Sequence, residues 1–441
     1  MKYSLIVVLL SFLFQFSIAQ NDLSISQAIE KGLENNYQIQ IADRYVDIAA
    51  NNNNWQSAGR YPTVNFNINS QNAYNNQNNP ASFINGSFLN GGVTGNLDAS
   101  YIIFDGYRVK INKKRFEELE KQGQTNVAIA VENSIRGILL SYYAAVIQQE
   151  ALDVLEEVLE LSRDRIDYQR ARQEFGQAGS FEIIQSQDAY YNDSTNIILQ
   201  QNVVETAFRN LNLAMGEDDL NLIYNLTDSL SNETPDYVFE DLKERMFSNN
   251  NNLQNFLIAR SLTSFDREMA ESNKYPVIGV NTGANLSENV LKLNGENPNT
   301  KEPYDAAWGN NFNYYLNLSA SYNIYNGKNR KRAIENAQVL EMIAQINIED
   351  LKRTLSTQLL NTLQTYNNQK QLVSINQARI DNAIRNIEIS KERFRNGLIT
   401  SFEYRDVQLS YIRAYQTQLT SVFDLKNTEI ELIRLIGGLV R

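Results

Sequence analysis

The chain repeats itself once, 221 residues apart, so any fold it adopts must be built from two equivalent halves. Gly176-Gln177-Ala178-Gly179-Ser180-Phe181-Glu182 is answered by Gly397-Leu398-Ile399-Thr400-Ser401-Phe402-Glu403. At the same offset, Phe104-Asp105-Gly106 is answered by Tyr325-Asn326-Gly327, and Leu213 to Gly216 by Arg434 to Gly437. Tyr61-Pro62 and Tyr275-Pro276 correspond at an offset of 214, which places a shorter loop in the first copy. A period this long is the duplication of a whole half, not a solenoid array.

Each half changes periodicity twice. Residues 22–58 carry apolar side chains at mixed helical spacing, with Asp22 or Ser24 as the expected cap and Tyr61-Pro62 as the stop. Period two follows: Val64, Phe66 and Ile68 alternate with Asn65, Asn67 and Asn69, predicting a strand over about 61–71. Residues 71–96, rich in Asn, Gly and Ser, read as a loop before a second strand at about 96–105. The second half predicts strands at about 275–286 and 313–325, separated by a loop over roughly 286–312. Membrane strands are about 9–11 residues long, apolar on one face and polar on the other, with aromatic residues near the interfaces. All four strands fit, with Tyr61, Tyr101, Tyr275, Tyr314 and Tyr325 as a candidate girdle.

Long helical patterns then take over. Residues 107–175 contain no Pro and repeat apolar positions at 3–4 spacing, as do 327–396; at ~1.5 Å per residue each spans roughly 100 Å. Residues 179–215 and 398–436 return as shorter partners, and seams of this kind pack as coiled coils. One antiparallel pair cannot cover all of these apolar residues, so burial between copies of the chain is expected. The domain reading is therefore a first repeat over 20–216 with its tip near 176–180, an acidic linker over 217–240, and a second repeat over 241–441 with its tip near 396–401.

Composition narrows the function classes. With no Cys and no His, disulfides, thiol nucleophiles, Ser-His triads and HExxH zinc sites are all excluded. No cofactor, metal site or catalytic residue is expected, and the chain does not read as an enzyme. A net charge of −11 argues against nucleic-acid binding. Residues 1–19 read as a secretory signal peptide: Lys2, an apolar core over 5–14, and Ser17-Ile18-Ala19 before Gln20. That run is too short and wrongly flanked for a spanning helix, and no other run approaches ~18 apolar residues.

Four strands cannot close a barrel, and an open sheet edge in lipid leaves backbone groups unpaired. Cyclic assembly follows from closure: two copies give eight strands and three give twelve, and only the larger leaves an open lumen. With these motifs in place, the chain resembles the TolC family of outer-membrane efflux proteins over essentially its whole mature length. The resemblance rests on the duplicated order helix–strand–strand–helix–helix, on Ile103-Phe104-Asp105-Gly106 and Ile324-Tyr325-Asn326-Gly327, and on the two Gly-containing tips. It implies a mixed α and β fold: a homotrimer with a twelve-stranded transmembrane β-barrel in the cell outer membrane, continuing into a long periplasmic α-helical coiled-coil barrel. It also implies a passive exit duct for a tripartite efflux or type I secretion system. Its partners would be outer-membrane lipid, a periplasmic adaptor and, through the adaptor, an inner-membrane pump.

Carried over by position, the resemblance assigns adaptor docking to Gly176, Ser180, Gly397, Thr400 and Ser401. It assigns a channel constriction to Glu182, Glu403 and Asp406, the last two one helical turn apart; Gln185 stands where the first repeat would carry the second acid. Three-fold repetition would make each carboxylate a cation-selecting ring, whereas a solvated acid at a helix start needs only the helix dipole. An Arg common in the family two residues after the second tip Gly is Ile399 here, and Phe394 occupies a Tyr position, so an apolar constriction of Phe394 and Ile399 replaces the family's Arg–Tyr tie. The absence of Cys sets this chain apart from the lipidated members. The competing reading, a secreted structural or adhesive coiled-coil protein of the cell surface, accounts for the helices but not for four amphipathic strands.

Overall fold

The structure, a computed structural model, describes residues 22–79, 81, 86–228, 234–297 and 300–439. The signal peptide expected over 1–19 lies outside the described residues. The first half comprises β1 (Asp22–Leu23), α1 (Ile25–Asn35), α2 (Tyr37–Asn52), β2 (Thr63–Gln77), β3 (Gly86–Phe104), α3 (Arg108–Glu174) and α4 (Ser180–Met215). After β4 (Asn225–Leu226), the second half repeats the order as α5 (Phe239–Asn249), α6 (Asn251–Ser272), β5 (Val277–Leu293), β6 (Ala307–Ser321), α7 (Asn329–Arg395) and α8 (Ser401–Leu435).

The duplication reaches individual hydrogen bonds. Gly176 and Gly397 sit at φ +71° and +70°, where a side chain would be strained. Gly176 N–H donates to Gln173 O and Gln177 N–H to Arg172 O; Gly397 and Leu398 repeat the pattern on Phe394 O and Arg393 O. The lead-in stretches break in both halves at an asparagine that periodicity does not mark. Asn36 Oδ1 accepts from Gln38 and Ile39 N–H, and Asn250 Oδ1 from Leu253 N–H, so each Asn ends one helix and caps the next. Ser24 caps α1 with a complete capping box.

The chain divides into two compact units. One holds residues 45–123 and 256–347 and contains the larger sheet. That sheet is antiparallel in the order β2-β3-β5-β6, so β3 and β5 join the two halves and β2 and β6 are the open edges. The strands exceed the sequence expectation. The hairpin from Thr63↔Ser100 to Gln77↔Gly86 absorbs most of the expected 71–96 loop, and Val277↔Ser321 to Leu291↔Ala307 absorbs much of 286–312. These segments are Asn-, Gly- and Ser-rich with only sparse apolar positions, but in-register backbone pairing needs no particular side chain.

Period two separates the two faces. Phe66, Leu97, Ala284 and Tyr314 lie in register on one face, followed two residues along by Val64, Ala99, Thr282 and Leu316. Between those rows, on the other face, Asn65, Asp98, Gly283 and Tyr315 align, and two residues further Asn67, Asn96, Asn285 and Asn313 form an asparagine row. Asn285 Nδ2 donates to Asn96 Oδ1 at 2.6 Å. The Tyr315 hydroxyl donates to Asp98 across Gly283, where a Cβ would meet the Tyr315 ring.

The other unit takes residues up to 44, 124–255 and 348–441, and is helical apart from the short parallel pair of β1 and β4. Tyr366, Val373, Ile380, Ile387 and Phe394 are all buried along α7 at a strict seven-residue spacing, the period of a left-handed coiled coil. Ile138, Tyr142, Phe208, Leu211 and Met215 fill the core beside α1. The linker lies against these helices: Ile25 N–H donates to Asp228 Oδ2, Tyr366 OH to Pro235 O, and Lys370 Nζ to Asp236 Oδ1 at 2.6 Å.

Candidate functional site: the hairpin tips

Both tips belong to the helical unit. The turn at Gly176 ends α3, and Ser180 opens α4; the turn at Gly397 ends α7, and Thr400 caps α8. Thr400 N–H donates to Glu403 Oε2 at 2.7 Å, and Glu403 N–H donates to Thr400 Oγ1 at 3.2 Å. Gly179 N–H donates to Glu182 Oε2 at 3.0 Å. Both glutamates therefore turn back on their own helix start, where the orphan N–H groups and the dipole favour a carboxylate. The Thr400 backbone bond, helped by its hydroxyl, holds the Glu403 carboxyl below its ordinary range. A group with a depressed folded pKa stabilises above its unfolded value and loses that contribution as pH falls through the folded value. Protease cleavage in 398–404 should thus accelerate only below about pH 4.5. Glu403→Gln, which keeps the cap acceptor, should resist cleavage at neutral pH better than Glu403→Ala. Equal cleavage of the two variants would show that the cap does not hold the tip.

Two of the sequence-derived site residues, Phe394 and Ser401, are buried within the chain. Phe394 is 3 % exposed, stacked on Tyr404 with ring centroids 5.0 Å apart and tilted against Tyr168 at 4.9 Å. Ile399 is partly buried against the same core. Within the chain, Phe394 is a packing residue with no face to offer a constriction; its heptad register, read through from Tyr366, carries this signal. Ser401, assigned to docking, is also buried, with its Oγ 3.5 Å from Ser186 Oγ of the first repeat. Gly176, Ser180, Gly397, Thr400 and Asp406 are exposed, and Glu182 is half-buried. Sequence reasoning passed over Phe181 and Phe402, equivalent residues that stand 73 % and 71 % exposed beside the tips. Their recurrence at the repeat offset was visible, but a hydrophobic residue in a helical pattern reads as core.

A buried polar layer above the tips fastens the two repeats together. Arg405 of α8 forks onto Asp193 of α4, Nη2 to Oδ1 at 2.6 Å and Nη1 to Oδ2 at 2.7 Å. Ser162 of α3 donates to the same carboxylate at 2.6 Å. Arg165 lies beside the pair, 3 % exposed, and burial followed by the Arg405 charge pushes its guanidinium down to about 10. Gln408 is fully buried beside it. Nearer the tip, Asp164 reaches Lys391 at 3.6 Å and Arg395 at 3.8 Å, and Tyr168 OH donates to Arg395 O. None of these helices is long and apolar enough to cross a membrane.

Residues 243–438 match the family model of the outer membrane efflux protein. The second half of this chain is thus similar to outer membrane efflux proteins. The fold of the whole chain agrees with it. CusC, described by its conformational changes on folding and transmembrane channel formation, is similar with a TM-score of 0.74 at 15% identity, over 96% of both chains. The CmeC outer membrane channel of Campylobacter jejuni gives 0.69 at 14% identity, over 94% of this chain and 85% of that one. The open-state MtrE outer membrane channel of Neisseria gonorrhoeae gives 0.68 at 14% identity, over 94% and 89%. No curated protein matches the sequence. The matched region carries β5, β6 and the second tip, and the first half reproduces its elements in the same order.

Proposed function

We propose that this chain is the outer-membrane exit duct of a tripartite efflux or secretion assembly, three copies closing one twelve-stranded barrel. The observation that carries the reading is the four-stranded sheet. It has an apolar face, an asparagine-rich face, and unpaired edges at β2 and β6. Such edges are tolerated in lipid only when paired, and β6 of one copy meeting β2 of the next closes the ring. The apolar face then meets lipid and the asparagine-rich face lines a hydrated lumen. Exposed Leu360, Leu372, Ile375 and Ile389 on α7, with Tyr191, Ile198 and Leu199 on α4, support packing between copies in the helical unit.

Adaptor docking falls to the exposed tips, with Gly176, Ser180, Gly397 and Thr400 shaping the turns and Phe181 and Phe402 as apolar anchors. Asp406, exposed on the first turns of α8, supplies the acidic ring of the constriction, with Glu403 and Glu182 contributing charge from their capping positions. Transport energy comes from the partner pump. Native mass spectrometry of the detergent-extracted outer-membrane protein tests the duct: a trimer is expected, and a monomer or dimer overturns it. A photocrosslinker placed at Phe181 or Phe402 in cells should trap a periplasmic adaptor. A trimer that yields no adduct from either position would remove the docking role and leave the duct standing.

A further inference from the structure

We propose that the basic collar opening both long helices binds the phosphate headgroups of anionic phospholipid. The proposal rests on reading the larger sheet as membrane-spanning. Residues 106–116 and 327–334 contain Arg108, Lys110, Lys113, Lys114 and Arg115, then Lys328, Arg330, Lys331 and Arg332, and no Asp or Glu, in a chain with 40 basic and 51 acidic residues. Both runs sit at helix starts without an acid in the first turn. The helix dipole disfavours cations there, and the tip helices α4 and α8 show the opposite choice with Glu182 and Glu403. Folding of the helices does not account for the placement. Its position does: β3 ends at Phe104 and β6 at Ser321, so each run begins a few residues after its strand.

Several collar cations are already engaged. Lys113 meets Glu117 at 2.7 Å, Arg115 meets Asp266 at 3.2 Å, and Arg330 donates to the carbonyls of Asn273 and Asn323. The side chains of Arg108, Lys114 and Lys328 are exposed and make no hydrogen bond or ion pair among the described residues. Lys110 and Lys114, one turn apart, converge with Lys274 on a cavity of about 360 Å³. Glu268 and Glu271 also line it; Glu271 reaches Arg267 at 3.2 Å and Lys274 at 4.0 Å, so Lys110 and Lys114 are the cations the cavity offers a ligand.

Beside the lysines, the rings of Phe104, Tyr107 and Tyr275 pack edge to face with centroids 5.4 to 6.3 Å apart. The Lys110 ammonium lies 5.7 Å from the Tyr107 ring centre. Aromatic rings beside lysines at the end of a membrane sheet are the side chains that favour a headgroup boundary. Exposed Tyr101 and Ile103 continue from this cluster along β3 and offer an acyl chain a path that free phosphate has no use for.

The test is native mass spectrometry of the detergent-extracted protein titrated with phosphatidylglycerol or with phosphatidylethanolamine of the same acyl chains. Phosphatidylglycerol should bind about tenfold tighter or more, and K110Q/K114Q should abolish that preference, since each lysine at an anionic surface adds about fivefold to affinity. The charge-matched variant K243Q/K352Q, in the helical unit, should keep it. Millimolar inorganic phosphate should not displace the lipid; displacement would assign the cavity to free phosphate and overturn the proposal. Equal binding of the two lipids, or a preference that survives K110Q/K114Q, overturns it as well. A protein that extracts without detergent and retains neither lipid would instead refute the membrane-spanning reading.

Discussion

Asp193→Ala should loosen the region above the tips more than any other single side-chain change there. It leaves the partly buried Arg405 without its counter-charge, beside an already desolvated Arg165. Removing one partner of a buried ion pair costs about 3–5 kcal/mol, mostly from the charge left behind. Amides of α8 near Arg405 should then exchange with solvent on the order of a hundredfold faster or more. The double variant D193L/R405M, which removes both charges, should recover much of the protection, because a well-packed apolar replacement of a buried pair is often neutral or stabilising. Exchange that stays at the wild-type rate in Asp193→Ala would mean that the fork contributes no stability to the junction. The pair joins α4 of the first repeat to α8 of the second, so the same variant should also relax the coupling between the two hairpins.

Leu316→Arg should block stable insertion, whereas Asn317→Arg, one residue along the same strand, should be tolerated. Leu316 lies on the apolar face, between the aromatic positions Phe312 and Tyr322, and Asn317 on the amide face. An arginine on the lipid face near the bilayer midplane costs roughly 2–4 kcal/mol per chain, while one on the lumen face keeps its hydration. The comparison is read as the yield of heat-resistant oligomer in outer-membrane fractions. Equal yields from the two variants would show that the faces are not segregated between lipid and water.

Much of the architecture could be read directly because it depends on period and repetition. Four strands, two long helices, their shorter partners and both glycine turns lie near their expected places, since alternation and 3–4 spacing are local properties of the chain. The misjudged segments share one cause. The ends of β2 and β5 and the starts of β3 and β6 mix many Asn, Gly and Ser residues with scattered apolar ones, so their strand conformation comes from pairing with a neighbour more than from their own preference. Asn36 and Asn250 escaped notice for a related reason: a single side chain that caps the next helix leaves no periodic trace.

The tips divide in the same way. Glycine at Gly176 and Gly397 is a backbone requirement, and the Thr400–Glu403 capping box is spelled out within four residues, so both were open to reading before any fold was known. The long-range partners were not. That Phe394 stacks on Tyr404, that Ser401 turns inward against Ser186, and that Arg405 reaches Asp193 all depend on the distance and rotation between helices from different repeats. Local spacing specifies which face of a helix is apolar; it does not specify which neighbour that face meets. The duplicated plan, the amphipathic strands and the turns are therefore properties of the chain alone. The extent of the sheet, its open edges and the buried charge layer arise when the two halves pack against each other, because burial and pairing are interactions between segments far apart in sequence.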